Sequence, residues 1–108
     1  MPDTDFGTTL LALARAAIAH RLGRGPAPVV PDDPRLREKG ATFITLARDG
    51  ELRGCIGSLE AHRLLAVDVR ENALAAAFGD PRFAPLALRE LDVTTVEVSL
   101  LSLSLIHI

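Results

Sequence analysis

Apolar residues recur at helical spacing near the start of the chain. From Thr8 to Leu22 they fall three, four and seven residues apart, which predicts an amphipathic helix. Thr8 is the predicted N-cap and Gly23 the C-terminal stop. His20 falls near the negative end of this helix, where a surface or capping role is favoured over metal ligation. Four prolines in residues 23–40 then predict an extended surface connection.

A β-hairpin follows. Two β-prone runs flank Asp49-Gly50, a dipeptide typical of a two-residue type I′ turn. With these two residues as the loop, Ile44 should face Cys55. Alternation along the strands then predicts two faces, an apolar one of Phe43, Ala47, Leu52 and Ile56 and a mixed one of Ile44, Leu46, Arg53 and Cys55.

A second helix is predicted from Arg63 to Phe78, where apolar positions occupy two sides and leave a narrow polar strip. Asp68 and Glu71 mark that strip. Gly79 ends the helix, and the carboxylate of Asp80 is expected to accept hydrogen bonds from backbone N–H groups in the corner that follows.

Alternation of apolar and polar residues returns in residues 92–102 and predicts a third strand. The order helix, hairpin, helix, strand predicts an α+β fold with a mainly antiparallel sheet flanked by helices. Beyond Ser102 the apolar run continues to the end of the sequence without a turn or a polar finish, which favours a truncated domain. A strand that pairs with the hairpin or with a second subunit is the alternative.

Composition limits the class of protein. A chain of 108 residues, about half of them apolar, is expected to form one core, so residues 1–108 are read as a single, partial domain. A net charge of -2, with four Phe and no Trp or Tyr, disfavours nucleic-acid binding. One cysteine excludes an internal disulfide, and the separated His20, His62 and His107 predict no metal site. The sequence indicates no signal peptide or membrane span, so a cytoplasmic location is expected.

The motif Leu-Arg-Gly-Cys-Ile-Gly, residues 52–57, carries the candidate chemistry. A thiolate is the reactive form of cysteine, and positive charge stabilises it, so Arg53 is a candidate partner of Cys55. Gly54 and Gly57 lack a Cβ, which permits a positive φ and close approach of a ligand to the main chain. The sequence therefore predicts a small-molecule or thiol-based site here.

Three downstream residues complete this candidate site. Arg82 is a candidate anion clamp that Asp80 would orient, and Glu97 is a candidate proton acceptor if it lies on the Cys55 face. His62 is a weaker candidate base.

Each of these residues also has a structural interpretation. A single free cysteine is commonly a small buried hydrophobic residue, and the glycines fit a β-bulge or a close contact with the alanine-rich second helix. Asp80 and Arg82 would then hold a corner together, Glu97 would be solvated, and His62 would lie at a solvated helix start.

Three sequence blocks resemble the AMMECR domain family. They are GATFITLARDGELRGCIG, VRENALAAAFGDPRFAPL and EVSLLS, in the order typical of that family. The resemblance implies an α+β domain with an antiparallel sheet and association with Memo-type and radical S-adenosylmethionine proteins in the AmmeMemoRadiSam system. It implies no established reaction and no cofactor. Family domains continue well past the third block, and the residues after Ser102 do not resemble that continuation.

Two hypotheses of function follow. The first is a small-molecule site, enzymatic through the thiol, around Cys55 and Arg53. The second is a non-catalytic binding or scaffold module that acts beside Memo-type and radical S-adenosylmethionine partners. A nucleic-acid role ranks third, because the chain has no excess of positive charge.

Overall fold

A layer of two α-helices packs on a four-stranded antiparallel sheet in the part of the chain that the structure describes. The structure is a computed structural model and describes residues 2–104. The elements are α1 (Pro2–Arg21), β1 (Lys39–Arg48), β2 (Glu51–Gly57), β3 (Arg63–Leu64), α2 (Leu65–Phe78) and β4 (Thr94–Ser104), with 3₁₀ turns at Pro34–Arg37 and Leu88–Val93. The predicted α+β class and mainly antiparallel sheet are confirmed. Over residues 2–104, neither helix has the length and apolar character that crossing a membrane requires.

Strand β1 is the centre of the sheet. It pairs with β4 along its whole length on one edge, and with β2 and then β3 on the other. Thr42, Ile44 and Leu46 are fully buried, and the last two pack with residues of both helices in the core. Alternate residues of β1 point to the opposite face, called the outer face below, which includes Phe43 and Thr45.

The hairpin turn is as predicted, but the register beyond it is not. Asp49 and Gly50 have φ values of 54° and 77°, both positive as a type I′ turn requires. A β-bulge opposite Leu46 and Ala47 then inserts Arg53 as an extra residue, so Cys55 pairs with Thr45 instead of Ile44. The predicted faces of Cys55 and Ile56 are therefore wrong, because one inserted residue exchanges the two faces of the strand beyond it. The shared face predicted for Phe43, Ala47 and Leu52 is confirmed.

That exchange changes the surroundings of the thiol. Cys55 shares the outer face with Thr45, whereas Ile44 and Leu46 belong to the core. Ile56, predicted to share a face with Phe43, pairs with Ile44 and packs against the core instead. The apolar core face consequently belongs to the even-numbered residues of β1.

The first helix begins earlier than predicted. It starts at Pro2, where the missing N–H of proline costs nothing because the first helical N–H groups have no intrahelical acceptor, so Thr8 is not the N-cap. The stop at Gly23 is confirmed by its φ of 82°. His20 is exposed, and its Nδ1 lies 3.1 Å from the carbonyl oxygen of Gly25, in agreement with a surface or capping role.

The second helix differs from the prediction at its start and on its polar strip. Arg63 and Leu64 form the short β3, and α2 begins at Leu65. Asp68 was expected on the polar strip of the helix, but its side chain is fully buried. Glu71, the other residue of that strip, is partly exposed and pairs with Arg70.

Asp68 is buried because five hydrogen bonds replace its contact with water. Its Oδ2 accepts from the backbone N and the Oγ1 of Thr42, at 2.7 and 2.8 Å, and from Asn72. Its Oδ1 accepts from Ser58 at 2.6 Å and from Arg63 at 2.8 Å. Burial raises the pKa of Asp68, but the hydrogen bonds from Ser58, Arg63 and Thr42 outweigh burial and hold it below its usual range. This cluster fixes α2 to the central strand and to the segment after β2.

Strand β4 continues past the predicted end at Ser102. Leu103 and Ser104 pair with Gly40 and Lys39 of β1, after a bulge between Ala41 and Thr42 of that strand. The alternative of a strand that pairs with the hairpin therefore holds as far as Ser104. Residues 105–108, which include His107, lie outside the described residues.

Replacing Asp68 by asparagine should destabilise the fold. An amide offers only one acceptor oxygen to the donors around it and places an NH2 group against one of them, at a cost of about 3 kcal/mol. Urea unfolding of Asp68→Asn measures this, with Glu71→Gln, at a partly exposed residue of the same helix, as control. Equal unfolding midpoints for the two variants would contradict the structural role of the cluster.

Candidate functional site

The Cys55 thiol lies on the outer face of the sheet, partly exposed. Its cross-strand partner Thr45 also pairs with Glu97 of β4, so the three residues form a row across β2, β1 and β4. Glu97 is therefore on the Cys55 face, the condition set for its proposed role. The intervening strand separates the two backbones by about 10 Å, or two strand spacings. Within residues 2–104 no hydrogen bond joins the Glu97 carboxylate to the thiol.

The corner after α2 brings Asp80 and Arg82 to Cys55. The Oδ2 of Asp80 accepts hydrogen bonds from the Cys55 backbone N at 3.0 Å and from the Arg82 Nη2 at 2.7 Å. Its Oδ1 accepts from the backbone N and the Nε of Arg82, at 3.1 and 3.0 Å. The predicted acceptance of backbone N–H bonds by Asp80 is confirmed. One carboxylate thus holds both the main chain at Cys55 and the arginine.

The negative charge of Asp80 at this corner is paired with the positive charge of Arg82. Hydrogen bonding to Arg82 holds the pKa of Asp80 far below its usual range, so the carboxylate is ionised at neutral pH. The hydrogen bonds that Arg82 donates to Asp80, followed by its interaction with the Cys55 side chain, raise the pKa of Arg82. The Asp80 side chain is 3% exposed, whereas that of Arg82 is 55% exposed. A guanidinium anchored by a buried carboxylate therefore lies beside the sulfur and is accessible to solvent.

Arg53 does not accompany the thiol, contrary to the prediction. Its Nε and Nη2 donate to the two carboxylate oxygens of Glu90 at 2.9 and 3.0 Å. Arg48 and the backbone N of Ala87 also donate to Glu90, each at 3.0 Å. The bulge that inserts Arg53 breaks the simple alternation that placed it beside Cys55. The Arg53 side chain is only 14% exposed and already has a bidentate partner.

Phe83 lies between the two arginine-carboxylate pairs. Its ring centroid is 5.3 Å from the Cζ of Arg82 and 6.0 Å from that of Arg53. The Nη1 of Arg53 is buried without a hydrogen-bond partner among the described residues, so the ring is a compensating contact for this guanidinium. Neither Phe83 nor Glu90 is in the predicted site: Phe83 lies in the second family block, but an isolated phenylalanine indicates no chemistry, and Glu90 lies in no periodic pattern or quoted motif.

The two glycines of the motif serve packing. Neither Gly54 nor Gly57 has a positive φ, so that prediction is wrong. A Cβ at Gly54 would overlap the carbonyl oxygen of Ala76 in α2, and one at Gly57 would overlap the ring of Phe43. The structural alternative of a close contact with the alanine-rich helix therefore describes Gly54.

His62, the weaker candidate base, is exposed, and its Nδ1 lies 3.0 Å from the Glu60 carbonyl oxygen. It has no hydrogen bond to Cys55, Asp80 or Arg82. In the described part of the chain no three His, Cys, Asp or Glu side chains come together as a metal-binding group. The structure thus brings together Cys55, Asp80 and Arg82 out of the predicted set.

Comparison with known proteins gives a family. The AMMECR1 family model matches residues 11–104, which is most of the chain. The chain belongs to the AMMECR1 family. The matched range includes the whole thiol site, because Cys55, Asp80 and Arg82 lie within it.

Relatives within the AMMECR1 family are about twice as long as this chain. A protein of Methanothermobacter thermautotrophicus is 43% identical over 100 residues, which is 91% of this chain and 52% of the relative. Protein TV1384 of Thermoplasma volcanium is 40% identical over 102 residues, 93% of this chain and 51% of the relative. The chain thus spans about half the length of these curated relatives.

A solved structure shares the fold. The crystal structure of the uncharacterized protein PH0010 from Pyrococcus horikoshii matches with a TM-score of 0.81 and 39% identity, over 92% of this chain and 52% of that protein. Since that protein is itself described as uncharacterized, this likeness supports the fold and gives no activity.

Lowering the pH should destabilise the fold, because Glu90 becomes protonated. Hydrogen bonding by Arg53 and by the Ala87 backbone lowers the pKa of Glu90 from 4.5 to about 2. A lowered folded-state pKa stabilises the protein above pH 4.5, and this contribution is lost as the pH falls from about 4.5 to 2. Glu90→Gln should therefore be less stable than wild type at pH 7, by about 2 to 3 kcal/mol, and the gap should narrow at pH 3.

Urea unfolding at pH 7 and pH 3 measures this gap. Glu51→Gln, an exposed carboxylate on the hairpin, is the matched control and should leave stability nearly unchanged at both values. A gap between wild type and Glu90→Gln that stays constant with pH would show that Glu90 is not the titrating group.

Proposed function

We propose that Cys55 is the reactive group of a small-molecule site in this AMMECR1-family chain. The observation that carries the proposal is the Arg82 guanidinium, held by the buried Asp80 carboxylate beside a partly exposed sulfur. Thiolate is the nucleophilic form of cysteine, and a neighbouring guanidinium favours negative charge at sulfur.

Asp80 is the positioning residue of the proposed site. It accepts hydrogen bonds from the Cys55 main chain and from Arg82, so the spacing between sulfur and guanidinium depends on one rigid carboxylate. Because Asp80 already holds Arg82 beside Cys55, less conformational entropy is lost when a substrate binds. Arg82 also keeps more than half of its side chain exposed, which leaves it able to contact an anionic part of a substrate.

Glu97 is the proposed proton acceptor, in the row with Thr45 and Cys55. It does not contact the thiol directly, so this role requires a substrate that lies over Thr45 between the two side chains. In this proposal three residues have a supporting role. Arg53 stabilises the bulge through its hydrogen bond to Glu90. Gly54 leaves room for α2, and Gly57 leaves room for the ring of Phe43. The proposal includes a cytoplasmic location, where free thiols stay reduced.

Alkylation kinetics test the thiol. Iodoacetamide forms an S–C bond and releases iodide, and the folded protein should react at pH 7 about tenfold faster than free glutathione. Arg82→Gln should reduce that rate several-fold, whereas Arg48→Gln, a comparably exposed arginine paired with Glu90, should leave it unchanged. Mass spectrometry of the modified peptide assigns the reaction to Cys55.

Two outcomes would refute the nucleophile. One is a Cys55 that reacts no faster than glutathione, and the other is a Cys55 that reacts only after unfolding. Either result would leave the sulfur as a packing group of the sheet.

The second candidate function is a docking module. The outer face of the sheet presents the partly exposed Phe43 and Ala47 and the 44% exposed Leu52, and no helix of residues 2–104 covers it. The partners proposed from the family resemblance are Memo-type and radical S-adenosylmethionine proteins of the AmmeMemoRadiSam system. A second copy of this chain is the other proposed partner.

Co-purification with a Memo-type protein separates the two functions. Leu52→Lys should abolish capture if the outer face docks the partner, because a charged side chain would be buried in the contact. Leu59→Lys, at a 99% exposed loop residue, is the control. Capture that survives Leu52→Lys, or no capture by wild type, would reject docking through this face.

A further inference from the structure

A cleft of about 280 Å³ lies between the last turns of α1 and the segment that leads into β4. Its apolar wall is formed by Ile18 of α1 and by Leu86, Leu91 and Val96 from the later segment. None of Cys55, Asp80 and Arg82 lines it. The cleft is therefore separate from the thiol site.

Two charged residues, Arg15 and Asp92, line this cleft, and among the described residues only Asp92 has an ion-pair partner. Asp92 is held by the guanidinium of Arg24, whose Nη1 and Nη2 donate to its two carboxylate oxygens at 2.9 and 3.2 Å. Arg15 is exposed and makes no hydrogen bond or ion pair with any described residue. One uncompensated positive charge thus borders an apolar wall.

The Arg24–Asp92 pair also braces the cleft. It connects the loop after α1 to the 3₁₀ turn before β4, residues that are 68 positions apart in the chain. Thr94, the polar residue inside, uses its hydroxyl to donate to the Glu90 carbonyl oxygen at 2.7 Å. Among the described side chains that line the cleft, the Arg15 guanidinium is therefore the hydrogen-bond donor that has no partner.

We infer that this cleft binds a small aliphatic monocarboxylate. The carboxylate would pair with Arg15 and the hydrocarbon would cover the partly exposed Ala19, Leu91 and Val96. A volume of about 280 Å³ lies just below the usual range of ligand pockets, roughly 300 to 1,000 Å³, so the ligand is small. Guanidinium and carboxylate form bidentate, charge-assisted hydrogen bonds, so the cleft should favour an acid over its neutral amide.

Titration with 4-methylpentanoate, followed by ¹H–¹⁵N NMR of the folded protein, tests this inference. The acid should bind saturably in the millimolar range, with the largest shifts at Ile18, Ala19 and Leu91, and the matched amide 4-methylpentanamide should bind at least tenfold more weakly. Arg15→Gln should weaken binding of the acid about tenfold. Arg21→Gln, an exposed arginine of the same helix outside the cleft, should leave it unchanged.

A cavity-filling variant makes the test independent of charge. Ala19→Leu places a larger side chain into the cleft from a helical position and should abolish binding while the unfolding temperature stays near that of wild type. Equal binding of acid and amide, equal weakening by Arg15→Gln and Arg21→Gln, or binding that persists in Ala19→Leu would each overturn the inference. The alkylation rate of Cys55 is not expected to change in these variants, so the two sites are tested separately.

Discussion

The buried carboxylate of Asp68 is the interaction on which the arrangement of this fold depends. A charge without water is tolerated only where hydrogen bonds replace its solvation, and here Thr42, Ser58, Arg63 and Asn72 surround it. These donors come from the central strand, the segment after β2, the short β3 and α2 itself. The helix can therefore take only one position along the sheet, since any shift would leave a buried group unsatisfied.

That fixed helix determines where the thiol corner lies. Further along α2, the carbonyl oxygen of Ala76 approaches Gly54 so closely that no other residue type fits without movement. The helix then ends at Gly79, and the next residue, Asp80, reaches the backbone of Cys55. The glycine beside the cysteine thus contributes indirectly: it permits the approach of the helix whose end carries Asp80 and Arg82.

Charge in this region is organised as two separate arginine-carboxylate groups. Asp80 holds Arg82 at the sulfur, whereas Glu90 holds Arg53 and Arg48 away from it, and Phe83 lies between the two guanidinium groups of Arg82 and Arg53. Glu90 accepts two hydrogen bonds from Arg53, whereas Arg82 is the guanidinium that interacts with the Cys55 side chain. The sulfur proposed to be reactive and the face proposed for docking lie on the same outer surface of the sheet, so the two proposed functions are distinguished by substitution at Arg82 and at Leu52.

Local patterns in the sequence determined the order of the two helices, the hairpin and the last strand, the Asp49-Gly50 turn, the stop at Gly23, the hydrogen bond that Asp80 accepts from the Arg82 N–H and the family resemblance, because each depends on residues close together in the chain. Only the tertiary structure decided the face on which Cys55 lies, the burial of Asp68 and the partner of Arg53. A single inserted residue at the bulge reverses the alternation of side chains; the glycines of Leu-Arg-Gly-Cys-Ile-Gly indicate that a bulge is possible there, but they do not determine its position. Glu90 lies 37 residues from Arg53, and Asp68 lies 26 from Thr42, so their pairing depends on how the sheet and helix close against each other.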